Sequence, residues 1–246
     1  MRLGSAVALL LLIAVPARAY DGQVYLSWEE CALNGAGAAD LGSACLFDEG
    51  ASALHCAFTL AQAIDDVVGI EVSVDLQHSQ ATLPDWWRLQ GKGECRDGSL
   101  LASGNFLGDG VCADPWRDLG GGVALYYPGL PGGQSSQARM VGVYAIRADS
   151  ARVLEAGPMY YGLKLLISNQ KTSFPGGCAG CLQPACLVLN QVKLLRGPGA
   201  IPSEITIESS GPANANRATW RGGSGAECAA VPVRSRTWGQ IKSLYR

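Results

Sequence analysis

The sequence predicts an all-β protein: one disulfide-stapled, mainly antiparallel β-sandwich of jelly-roll or cohesin-like layout. Three observations carry that expectation. Runs of strand character recur along the chain, Gly/Pro/Asn/Asp clusters separate them, and helical periodicity is scarce. A closed barrel is the alternative arrangement of such strands.

The runs come in order. Gln23–Trp28 is the first, and Leu54–Leu60 is strand-like as well. Ile70–Gln77 alternates apolar and polar residues without error, the mark of a half-buried strand. Gly122–Tyr127, Arg139–Arg147, Tyr160–Ile167, Cys186–Leu195 and Ile205–Glu208 follow. Clusters such as Pro128-Gly129-Leu130-Pro131-Gly132-Gly133 and Arg196-Gly197-Pro198-Gly199 read as turns. A helical turn is expected only near Asp149–Leu154 and at the C-terminus. No internal repeat or composition break marks a second domain.

The N-terminus carries an export signal. Met1-Arg2 is a basic start, Val7–Val15 is almost wholly apolar, and Ala17-Arg18-Ala19 is a cleavage site. The apolar run falls short of the ~20 residues of a membrane span. The expected organisation is a signal peptide at 1–19, a sandwich at 20–230 and a basic amphipathic tail at 231–246. Cleavage near Ala19 places the protein outside the cell or on the envelope surface, with no transmembrane segment in the mature chain.

Nine cysteines in an exported chain imply disulfides. Cys56 is the expected free thiol, because its strand-like run suits a small core hydrophobe. The other eight are Cys31, Cys45, Cys95, Cys112, Cys178, Cys181, Cys186 and Cys228. Proximity suggests Cys31–Cys45 and Cys95–Cys112, and leaves three connectivities for the last four. Cys178-Ala179-Gly180-Cys181 also has the spacing of a redox or zinc motif. Pro184 leaves little room for the helix that redox chemistry wants, so structural disulfides are favoured.

Charge is lopsided. Tyr20–Trp87 holds eleven Asp/Glu and no Lys/Arg, whereas Arg88–Arg246 holds 17 basic and ten acidic residues. Packing of the two parts against each other is the simplest reading. No basic stripe with interleaved aromatics appears, so nucleic acid is not an expected partner.

Few residues suggest chemistry. The chain has two histidines, His55 and His78. Neither G-x-S-x-G nor H-E-x-x-H occurs. His55 adjoins Cys56, but strand alternation turns the two apart. No cofactor is expected. Glu29-Glu30, Asp48-Glu49 and Asp65-Asp66 offer oxygens for Ca²⁺, yet none follows the EF-hand pattern. Trp86 and Trp87, adjacent on an expected strand, would face opposite ways. One exposed ring would make a glycan platform; a covering for the core is the plainer role. The tail places Trp238, Ile241, Leu244 and Tyr245 on one helical stripe. It either docks on its own domain or is read by an export or assembly partner.

The expected function is therefore a non-catalytic secreted or cell-envelope interaction or structural module. Its partner would be another protein or a second copy of itself. A carbohydrate-binding module using Trp86 or Trp87 is the first alternative, and a secreted hydrolase the second.

Three stretches carry a resemblance: Val74–Gln77 with Leu83–Trp87; Ile167–Asn169 with Lys171-Thr172 and the Cys178–Cys181 motif; and the end Thr237–Arg246. They resemble a family of uncharacterised secreted bacterial proteins. The resemblance spans most of the mature chain and implies no activity or catalytic residues. In such relatives the position of Cys56 is not Cys. The layout is also similar, in fold alone, to cohesin-like and carbohydrate-binding β-sandwiches.

Overall fold

In the computed structural model the described residues are 20–31, 37–43, 45–130, 134–173, 175–208, 211–226 and 228. They form twelve strands in two sheets. The smaller sheet is built, in spatial order, from β1 (Gly22–Trp28), β3 (Ala51–Leu60), β9 (Met159–Ser168) and β5 (Leu100–Ser103). The larger runs β2 (Asp40–Leu41), β12 (Arg217–Trp220), β10 (Ala185–Arg196), β4 (Ile64–His78), β7 (Gln137–Ile146) and β6 (Gly120–Pro128). Two short strands join it: β8 (Arg152–Leu154) pairs with β4, and β11 (Glu204–Ile207) with β10. All pairings are antiparallel except β2 beside β12.

Period-two patterning decides which side chains go inward. From the smaller sheet come Leu26, Trp28, Leu54, Cys56, Phe58, Leu163 and Leu165. From the larger come Ile70, Val72, Val74, Leu76, Met140, Tyr144, Leu187 and Leu189. They belong to one continuous core between the sheets. The sheets meet closely where Gly142 of β7 faces β9. A Cβ there would lie 2.5 Å from Leu163 Cδ2 and 2.9 Å from Leu165 Cδ2. The missing side chain lets two leucines fill that space.

Every long run expected from the sequence is a strand. The expected turn near Asp149–Leu154 divides into a 3-10 turn at Ala148–Ser150 and β8. Strands β2, β5 and β12 were not expected; at two to four residues they are too short for a visible period.

Eight cysteines form four bridges, and Cys56 is unpaired and buried. The pairs are Cys31–Cys112, Cys45–Cys181, Cys95–Cys178 and Cys186–Cys228. This corrects the expected Cys31–Cys45 and Cys95–Cys112 pairs. Cys31 lies just past β1 and meets the loop after β5, as its N–H bond to Asp109 O (2.9 Å) shows. Cys45 and Cys95 instead reach the Cys178–Cys181 turn. Neighbours in sequence here belong to different layers, so loop proximity is a poor guide. With Cys178 and Cys181 each bonded elsewhere, their motif is structural rather than redox or zinc-binding.

Candidate functional site

Trp86 and Trp87 lie in a 3-10 turn, Asp85–Trp87, not on a strand, and both are fully buried. This corrects the strand placement and the alternative of one exposed ring, and agrees with the plainer role of covering the core. Pro84 leads the chain into a turn, so both indoles point inward and meet Trp220, with centroids 4.8 and 5.5 Å away. Trp28 approaches Trp220 at 5.8 Å. The cluster's polar atoms are largely satisfied. Trp86 Nε1 donates to Thr172 Oγ1 (3.0 Å), and Trp220 Nε1 donates to Cys181 O (2.7 Å). Gly180 makes this possible: its φ is 109° and a Cβ would lie 2.2 Å from Pro84 Cβ. Arg96 is buried over Trp86, its Cζ 4.0 Å from the ring centre, and donates to Trp86 O (2.9 Å). Burial brings its pKa down to about 10. Trp86 and Trp87 thus close one end of the core and offer no ring to a sugar.

The three acidic pairs are engaged separately. Asp48 accepts from the backbone N–H groups of Thr172 (2.8 Å) and Ser173 (2.6 Å), which hold its carboxyl below the ordinary range. Asp65 pairs with Arg196, and Glu29 accepts from the Ala53 N–H at 3.2 Å. Among the described residues no three His, Cys, Asp or Glu side chains converge as metal ligands.

A cleft of about 330 Å³ lies beside β6, lined in part by Leu83, Arg88, Glu94, Tyr126 and Ser135. Arg88 pairs there with Glu94 at 3.5 Å. Among the described lining residues Glu94 supplies the carboxylate.

The outer face of the smaller sheet carries a polar network that the sequence reading passed over. Register puts Ser27, His55, Lys164 and Ser103 in one row across four strands. Above it passes a strap, residues 104–116, tied down by Cys31–Cys112. The strap follows β9, whose Tyr161 N–H donates to Ala113 O (3.1 Å). From it Asp109 reaches His55 Nε2 (2.9 Å) and Lys164 Nζ (2.5 Å), both through Oδ2. Phe106 and Tyr161 flank the imidazole, with centroids 5.8 and 6.2 Å away. Burial lowers the His55 pKa, partly offset by Asp109. His55 and Lys164 hold the Asp109 carboxyl down against its own burial. Glu29, at the end of β1, is pushed up by burial. His55 is fully buried and Ser27 nearly so, and a Cβ on Gly37 would lie 2.5 Å from Ser27 Cβ. This row therefore does not present Ser27 to a substrate as a nucleophile. Two signals could have found it: a lysine inside the apolar run Tyr160–Ile167, and the alternation that separates His55 from Cys56.

The outer face of the larger sheet is divided. Over β10 and β4 it is polar, with Lys193, Gln191, Glu71, Ser73 and Asp75. Over β7 and β6 it turns apolar: Val143 lies beside Val123, Val141 beside Leu125, and Arg139 beside Tyr127. Val123 (54%), Leu125 (42%) and Tyr127 (50%) are exposed in a row. The tail residues Trp238, Ile241, Leu244 and Tyr245 lie outside the described residues.

Set against known proteins, the chain matches no family model and no curated sequence. Four disulfides fit an oxidising compartment. No helix among the described residues is long and apolar enough to cross a membrane.

Proposed function

We propose that this protein is a non-catalytic extracellular or cell-envelope module that binds another protein, or a second copy of itself, through the apolar half-face of its larger sheet. One observation carries the reading. Val123, Leu125 and Tyr127 share one face of β6 and stand exposed beside Val141 and Val143. An alternating strand at a sheet edge would ordinarily put polar side chains on its outward face. Contiguous exposed apolar patches mark interaction surfaces, and aromatic residues are enriched at interface cores. The export signal and the four disulfides support an extracellular setting.

Leu125→Glu and Tyr127→Ser test it. Each should leave the melting temperature within a few degrees of wild type, because the side chain contributes little to the core. Each should abolish capture of an envelope partner, or self-association in sedimentation. Leu107→Glu, at a still more exposed site on the strap, should retain binding. Binding unaffected by both β6 changes would refute the assignment.

A further inference from the structure

We propose that Lys164 and Asp109 join through an intramolecular amide (isopeptide) bond that forms spontaneously in the folded chain. This inference is independent of the reading of the apolar half-face.

The geometry supplies what such a bond needs. Lys164 Nζ lies 2.5 Å from Asp109 Oδ2, in direct contact. The lysine and aspartate side chains are only 11% and 17% exposed. Phe106 covers the ammonium, with Nζ 5.7 Å from its ring centre, and Tyr161 packs against Phe106. Water, which would otherwise hydrate both ions and oppose condensation, is thinned out. Both partners are fixed: Lys164 sits mid-strand between β3 and β5, and Asp109 is clamped by the Cys31–Cys112 bridge and the Cys31 N–H. Holding two reacting groups in contact converts a bimolecular condensation into an effectively unimolecular one.

The protons move within the pair. Lys164 passes one proton to the Asp109 Oδ2 it touches, and its neutral nitrogen attacks Cγ. The new C–N bond forms as charge develops on Oδ1, while Oδ2, which His55 Nε2 faces at 2.9 Å, takes the second proton from the nitrogen. The bond from Cγ to Oδ2 then breaks, Oδ2 departs as water, and Oδ1 becomes the amide oxygen. In sum, ammonium and carboxylate give amide and water: two of the three ammonium protons leave with one carboxylate oxygen, and the third stays on the amide nitrogen. Nothing is oxidised or reduced, and no co-reactant is required. The bond would turn the strap from a loop held by one disulfide into one held at two points.

Intact mass spectrometry of the reduced, denatured protein tests this, using chain that begins at Tyr20. Essentially all molecules should be one water lighter than the sequence. Lys164→Arg, which keeps the charge, should restore the full mass. Digestion should yield a branched peptide joining the segments around 109 and 164. Asp109 precedes Gly110, a sequence that also loses water by closing a succinimide on its own backbone. Tandem fragmentation separates the two: a branched peptide supports the proposal, and a linear succinimide peptide overturns it. Wild-type protein at full mass also overturns it.

Discussion

Arg139 and Asp75 form a buried ion pair at the boundary between the polar and apolar halves of the larger sheet's outer face. Arg139 Nε and Nη2 reach the two carboxylate oxygens at 2.6 and 2.9 Å, a bidentate pairing. The Asp75 side chain is fully buried and that of Arg139 is 11% exposed. Arg139→Leu leaves a carboxylate out of water with its main partner gone, a loss that ordinarily costs about 3–5 kcal/mol. At roughly 2–4 °C per kcal/mol for a chain of this size, melting should fall by about 6–20 °C. The pH dependence follows from the direction of the Asp75 shift. Burial raises its pKa above the ordinary 3.8, and the Arg139 hydrogen bond and charge oppose that rise. Without Arg139 the folded-state pKa climbs further. A folded state with the higher pKa binds the proton more tightly than the unfolded chain, so stability is regained as pH falls through that pKa. The deficit should be full at pH 7 and shrink on acidification. Asp75→Leu with Arg139→Leu should lie much closer to wild type than Arg139→Leu alone. Thermal and urea unfolding at neutral and acidic pH measure all three. A loss below about 1 kcal/mol at pH 7, or one independent of pH, would refute the buried-charge argument.

Other outcomes follow from the core and the bridges. Trp86→Ala should destabilise by about 3–5 kcal/mol, as large-to-small changes at buried aromatics do, measured by denaturant unfolding. Cys186→Ala with Cys228→Ala should cost about 4 kcal/mol in the loop-closure picture, given the 42-residue separation; calorimetry under non-reducing conditions reads it. Thiol labelling should find Cys56 unreactive in the native protein, since burial pushes its thiol pKa up, and reactive after denaturation without reductant. Gly142→Val should destabilise by roughly 1–3 kcal/mol through overpacking against Leu163 and Leu165, visible in the same unfolding experiments.

The fold was largely legible because its long strands carry strong signals. Ile70–Gln77 alternates, and Cys186–Leu195 is an apolar run bounded by Pro184 and Gly197. The site was less legible because it depends on juxtaposition. Lys164 and Asp109 are 55 residues apart and meet only because β3 lies beside β9 and a strap crosses them. Disulfide partners were misjudged for the same reason, since sequence distance does not report which layer a loop joins. Trp86 and Trp87 were read with strand geometry, and a 3-10 turn after Pro84 turned both inward. The apolar half-face was visible in Val123-Ala124-Leu125-Tyr126-Tyr127, a run that is apolar on both faces; the register with Val141 and Val143 gives it meaning.

Site-specific photocrosslinking tests the proposed function most directly. A photoreactive residue replaces Leu125 in protein produced in its native envelope, and a second version carries it at Leu107. Position 125 should yield one discrete protein adduct, either a distinct partner or a dimer of this chain, and position 107 should yield none. Equal adducts at both positions, or none at 125 with the protein folded and exported, would contradict the assignment of the β6–β7 face as the binding surface.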